Sequence, residues 1–125
     1  MREVLRQEKK YLMTLLDGQR LCARLSGFLL EDAHSGAQGY AVRSLYFDTL
    51  DDGDYRDKLD GLELRRKLRL RIYDPAAGFA MLEMKQKEGA YQKKRSLRLD
   101  REAAERLIRG DFRPLLDCGG SFAAE

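Results

Sequence analysis

Alternation of apolar and polar positions is the main rhythm of this chain, interrupted by two stretches of helical spacing. From Glu63 to Tyr73 the odd positions read Glu63, Arg65, Lys67, Arg69, Arg71 and Tyr73; the even positions read Leu64, Arg66, Leu68, Leu70 and Ile72. A strand sends successive side chains to opposite faces, so this run predicts a strand with one cationic and one aliphatic face. Asp74, Pro75 and Gly78 turn the chain into a further strand, Phe79 to Lys87, and Glu88 and Gly89 turn it again into Tyr91 to Leu99. Two earlier strands are predicted over Val4–Leu12 and Tyr40–Asp48. Thr14 can cap a helix from 15 to about 28, in which Leu21, Leu25, Phe28 and Leu29 keep helical spacing. Asp100 can cap a second over 101–109, ended by Gly110. The segment Thr49–Gly61 reads as a loop with one helical turn, and no element is evident from Asp111 to Glu125. The class is α+β: an antiparallel sheet whose aliphatic face, with Leu64, Leu68, Leu70, Ile72, Leu82 and Met84, packs under the two helices.

Composition changes the picture through position. The net charge is only +3, but charged residues make up 36% of the 125, against about a quarter in an ordinary domain. Between Glu63 and Arg98 stand 11 Lys/Arg and 4 Asp/Glu, while the other residues hold 13 and 17. A cationic site in a mildly acidic body follows. Cys22 and Cys118 have no Cys or His cluster near them and read as free thiols of a reducing compartment. Without a signal-peptide pattern or an apolar run of spanning length, the expectation is a cytoplasmic protein with no membrane segment in this chain.

One cationic strand could be a solvated outer face. Recurrence argues otherwise. Glu83, Lys85 and Lys87 share a phase in the fourth strand, Lys93 and Arg95 in the fifth, and Arg6, Glu8 and Lys10 in the first. Like charges on neighbouring strands repel, so four such strands point to a polyanionic ligand of phosphate type. Glu8, Glu63 and Glu83 sit among the cations and read first as ion-pair partners. The alternative, for Glu8 and Glu83, is a divalent metal, Mg²⁺ or Mn²⁺, bridging phosphate oxygens. Ser44, Tyr46 and Asp48 share a phase and are candidates to line the same cavity. His34 reads as a solvated turn residue, and no Walker loop, GxGxxG or Ser–His–Asp set appears. Few aromatics share the cationic phase, which argues against nucleic acid.

These residues carry a resemblance. Glu8-Lys9-Lys10-Tyr11, Ser44-Leu45-Tyr46-Phe47-Asp48-Thr49, Lys58-Leu59-Asp60-Gly61, Arg65-x-Lys67-x-Arg69-x-Arg71, Leu82-Glu83-x-Lys85-x-Lys87 and Lys93-x-Arg95 resemble the vacuolar transporter chaperone (VTC) domain, in that family's order, across residues 4–110. The resemblance implies a triphosphate tunnel, a barrel of antiparallel strands that grips ATP, inorganic triphosphate or polyphosphate with inward cations. It places Lys10, Arg69, Arg71, Lys85 and Lys93 at tunnel positions, with Arg65, Lys67, Lys87 and Arg95 as neighbours in phase. The implied reaction is transfer of the γ-phosphate of ATP to a polyphosphate end, with Mn²⁺ or Mg²⁺. A non-catalytic polyphosphate-binding module and a tunnel-type triphosphatase are the alternatives. Two departures stand out. Arg6 replaces the first carboxylate of the Glu-x-Glu-x-Lys strand of related tunnel enzymes, and the motifs of the later strands do not follow. Residues 1–125 therefore read as a single domain holding the first half of a tunnel, with a homodimer as one way of completing it.

Overall fold

The computed structural model describes residues 1–118. It has two compact units, one made of Met1–Gln7 with the chain from Val42 onward, the other of Glu8–Ala41. The first unit holds strands β1 (Arg2–Arg6), β2 (Arg43–Phe47), β3 (Leu64–Ile72), β4 (Phe79–Glu88) and β5 (Tyr91–Asp100), and helices α2 (Gly53–Leu59), α3 (Arg101–Ile108) and α4 (Pro114–Cys118). The second holds α1 (Leu15–Leu25).

The five strands form one antiparallel sheet in the order β1-β5-β4-β3-β2. It is open, with β1 and β2 as its edges; the α+β class stands, and these strands do not close a tunnel. The β4–β5 connection is a two-residue turn between Glu88 and Tyr91. Its Gly89 has φ +59°, a left-handed conformation open to glycine at no steric cost.

Register explains where the sequence reading of β1 overshoots. Arg2 pairs with Ser96 and Arg6 with Gln92, and β5 itself begins at Tyr91. Beyond Arg6 only Tyr91 remains of β5, so the strand runs out of partner. The expected strand over Val4–Leu12 is corrected to Arg2–Arg6, and Glu8 and Lys10 are not strand residues.

The core lies on the aliphatic face. Leu70, Leu82 and Leu97 stand side by side on β3, β4 and β5, and Leu82, Leu99 and α3's Leu107 are at most 2% exposed. Ala104 and Leu115 complete the cover from α3 and α4, while Leu68 and Ile72 pack at its margin. Each large apolar side chain so buried contributes about 1.5–3 kcal/mol. The cover is local. Leu64, expected in the core, is exposed because it lies at the far end of β3, opposite Glu88 and beyond the reach of α3 and α4. The helix expected over 15–28 is α1, which belongs to the other unit and buries none of its residues.

The predicted caps form. Thr14 Oγ1 accepts from the Asp17 N–H at 3.1 Å, and Asp100 Oδ1 accepts from the Ala103 N–H at 2.7 Å. The stretch read as a loop with one helical turn contains α2, whose first turn is tied down by Asp48: its carboxylate accepts from the N–H groups of Thr49, Asp54 and Tyr55. Within the second unit, Asp32 accepts from the His34 N–H and the Tyr40 hydroxyl, which fixes the polar loop after α1. No helix among the described residues is long and apolar enough to cross a membrane.

Candidate functional site

Register turns the cationic face into rows that run across the strands. Arg65, Lys87, Gln92 and Arg6 stand in one row. Lys67, Lys85 and Lys94 stand in the next. Tyr46, Arg69, Glu83, Ser96 and Arg2 form the third, and Ser44, Arg71, Met81 and Arg98 the fourth. Successive rows are about 7 Å apart and neighbouring strands about 5 Å. Cations outnumber the carboxylate in these rows, Glu83, and Lys67, Lys85 and Lys94 are like charges in direct register. Such juxtaposition is destabilising without an anion.

Glu83 lies at the centre with 2% of its surface exposed. Arg69 donates to Oε2 through Nε at 2.8 Å and stands on the same oxygen through Nη2 at 2.7 Å. Lys94 Nζ is 2.5 Å from Oε1, and Arg71 Nη1 is 3.9 Å from Oε2. Burial pushes the Glu83 carboxyl up, but the bonds from Lys94 and Arg69 outweigh it and hold the group below the usual carboxylate range. Arg69 also donates through Nη1 to the Tyr46 hydroxyl at 3.2 Å, the main cause that lowers the phenol's pKa. Arg71 donates through Nε to Ser44 Oγ at 3.2 Å. Ser44 and Tyr46 therefore sit on the cationic face, as their phase predicts, each orienting an arginine.

Beside these rows lies a cavity of about 330 Å³, where Tyr46 and Lys67 meet Asp48 and, from α2, Tyr55 and Lys58. Asp48 is thus at the cavity, but its carboxylate serves α2. Loss of solvent pushes its pKa up, and the N–H groups of Asp54, Thr49 and Tyr55 together bring it below the ordinary value.

The fifth strand corrects the sequence reading. Arg95 pairs with Met84 and Lys93 with Gln86, which places both on the face that carries Leu68, Leu97 and Leu99. The reason was present in the alternation itself: Leu97 and Leu99 must be buried, and Lys93 and Arg95 share their parity. There Lys93 and Arg95 meet Glu3, at 3.2 and 3.5 Å, and Arg95 donates to Gln86 at 3.1 Å. Lys94 stands on the cationic face in their stead. Arg6 is on the cationic face as expected, but Glu8 and Lys10 lie outside the sheet unit, 3.6 Å from one another. Parity would also have found Lys94, Arg2 and Arg98; Lys58 belongs to α2, for which alternation gives no signal.

A divalent metal does not fit the residues around Glu83. Both its oxygens are taken by cationic donors, and among the described residues no three His, Cys, Asp or Glu side chains gather as a metal site.

Residues 5–123 match the family model of the VTC domain. No curated protein and no solved structure matches the chain. With nearly its whole length covered by that match, and with the cationic rows of its sheet in place, the chain belongs to the VTC domain family.

Proposed function

We propose that this domain binds a polyphosphate chain across the cationic rows of its sheet and serves ATP-dependent polyphosphate synthesis. The observation that carries the reading is the register of Lys67, Lys85 and Lys94, flanked by Arg65 with Lys87 and by Arg71. A linear polyanion presents a charge at every phosphate, and rows of ammonium and guanidinium groups on neighbouring strands match such a ligand. A single phosphate would meet only one row. Guanidinium adds directional, two-point contacts to phosphate oxygens, and lysine adds a point charge.

The triphosphate of ATP is the same chemical class as the chain end. Transfer of the γ-phosphate breaks its bond to the β-bridging oxygen and forms one to a terminal polyphosphate oxygen. Such a step asks chiefly for charge neutralisation and in-line placement, which a cationic surface supplies without a dedicated nucleophile. In this reading a Mg²⁺ or Mn²⁺ ion travels on the phosphate oxygens, and the remaining wall of the tunnel lies across the open edges of β1 and β2. A second copy pairing on those edges is one way to supply it. Light scattering with and without tripolyphosphate tests that: a shift from monomer to dimer mass on adding tripolyphosphate is expected.

Incubation with ATP and Mn²⁺, followed by chain-length analysis of the products, tests the function. Long polyphosphate is expected. Binding of tripolyphosphate without product would reduce the reading to a binding module, release of orthophosphate alone would make the domain a triphosphatase, and no binding at all would overturn it.

A further inference from the structure

We propose that the end of the cationic face where Arg98 stands over Phe79 holds the nucleoside of a bound nucleoside triphosphate, with the phosphate tail directed toward Arg71 and the rows beyond it. The proposal rests on the polyanion-binding reading above and adds to it a place, and hence a direction, for the nucleotide.

The face changes character at this end. The fourth row has Met81 between Arg71 and Arg98, and two positions back along β4 Phe79 shares the same face, opposite Asp100. A polyphosphate chain carries charge at every unit and gains nothing from a thioether or a phenyl ring. A nucleotide has a part that does, because its base presents a flat apolar surface beside the phosphates. Arg98 joins the two kinds of surface. Its Cζ lies over the Phe79 ring, 3.9 Å from the centroid. The carboxylate two residues on, Asp100, is occupied in capping α3, where it accepts from the Ala103 N–H at 2.7 Å. A guanidinium held on a ring keeps its second planar face, and Arg98 is exposed while Phe79 is half-buried. Guanidinium planes and aromatic rings are the surfaces on which bases stack. With the ring already fixing Arg98, such stacking loses little further side-chain freedom.

Direction follows from the register. Arg71 stands two strands away in the row of Arg98, and the rows of Arg69 and of Lys67, Lys85 and Lys94 follow toward the other end. Two strand spacings are about 10 Å, the order of distance between a base and the phosphates of its own nucleotide. A nucleoside on Arg98 and Phe79 therefore brings its phosphates to Arg71 first and points the terminal one at the rows beyond. The cavity beside Tyr46 also has aromatic lining, but Asp48 and Asp54 line it too. A nucleotide entering there carries its phosphates past two carboxylates, which disfavours it.

Titration calorimetry of ATP and of tripolyphosphate, at one salt and one Mg²⁺ concentration, tests the placement with wild type, Arg98→Lys, Phe79→Leu and Tyr55→Leu. The two ligands share the polyanion and differ in the nucleoside, so the ratio of their affinities reads the nucleoside site. Arg98→Lys keeps the charge and loses the plane. It should weaken ATP about fivefold or more, the smaller end of what one stacked base contributes, and tripolyphosphate by less than about twofold. Phe79→Leu removes the ring beneath and should move the ratio the same way by about threefold or more. Tyr55→Leu, in the other cavity, should leave the ratio unchanged. Should Phe79→Leu lose both ligands through misfolding, Arg98→Lys decides alone. Equal changes for both ligands in Arg98→Lys, no change in either, or a selective loss of ATP in Tyr55→Leu overturns the placement and leaves the polyanion reading intact. So does a wild type that binds tripolyphosphate and not ATP. A wild type that binds neither ligand overturns that reading, and this proposal with it.

Discussion

The two faces of this sheet are made by one alternation, yet they treat a cation in opposite ways. On the helix-covered side three cations have a carboxylate within reach: Arg66 has Asp54 at 3.4 Å, and Lys93 and Arg95 share Glu3. On the other side the rows place cations beside cations, and Glu83 stands against three of them. The first arrangement resembles ordinary surface ion pairing, each pair worth about 0–1 kcal/mol. The second holds charge in excess of what the sheet needs. Counting cations along the chain does not separate the faces; pairing them by register separates a supporting face from a binding face.

The largest effect that would test this division is on stability. Leu82 is fully buried between Leu70 and Leu97. Leu82→Ala should cost about 2–5 kcal/mol through lost burial and the cavity left behind. Urea unfolding should show the loss as a lower midpoint with an unchanged slope. A loss below about 1 kcal/mol would mean that the helix-covered side is not the core.

Next comes charge reversal. Arg71→Glu should weaken tripolyphosphate binding by about a hundredfold, since a charge-assisted contact is lost and a repulsion gained. Arg66→Glu, on the opposite face, should leave binding within about threefold, and equal losses at the two positions would indicate attraction by net charge alone.

How far the sequence could lead is visible in particular residues. The phases of β3 and β4 were legible because apolar and charged positions alternate through most of both, Arg66 and Met81 being exceptions. The caps at Thr14 and Asp100 were legible from local chemistry. In β5 two adjacent lysines, Lys93 and Lys94, offer both parities, and only the burial of Leu97 and Leu99 decides between them. The end of β1 was not legible, because it depends on where β5 starts. Nor was the full extent of α2, read only as one helical turn, because its first turn is held by Asp48 from six and seven positions upstream. The role of Glu83 needed coordinates: spacing puts it among the cations, but not which of its oxygens each one takes.

Acid provides a smaller effect on the same cluster. Glu83 is held below its ordinary pKa in the folded protein, so it binds a proton less readily there than in the unfolded chain. A depressed carboxyl contributes stability that is fully present above its unfolded value of about 4.3 and is lost as pH falls through the folded value. Stability should therefore be level in this contribution from pH 7 to about 5 and decline below about 4. E83Q should show a shallower decline over that acid range than wild type. The same slope in both proteins would mean that other carboxyls, such as Asp111 beside Arg106 and Arg113, set the acid limit.

The finest test uses the two neighbouring lysines of β5, which share composition, strand and local charge but not face. Lys94 stands in the row of Lys67 and Lys85, with Glu83 beneath it; Lys93 stands on the other side beside Glu3. Methionine keeps most of the length of lysine and removes the charge, so each substitution asks only what that charge does. Lys94→Met should weaken tripolyphosphate binding about tenfold, the worth of one charge-assisted contact. Lys93→Met removes an exchangeable surface pair and should change binding by less than about threefold. Because the two variants have the same net charge, any long-range attraction falls equally in both and cancels from their ratio. The ratio of affinities, measured by calorimetry at one salt concentration, therefore reports which face the ligand uses. A ratio near one would mean the ligand does not distinguish the faces, and a larger loss at Lys93 would place the binding surface on the helix-covered side.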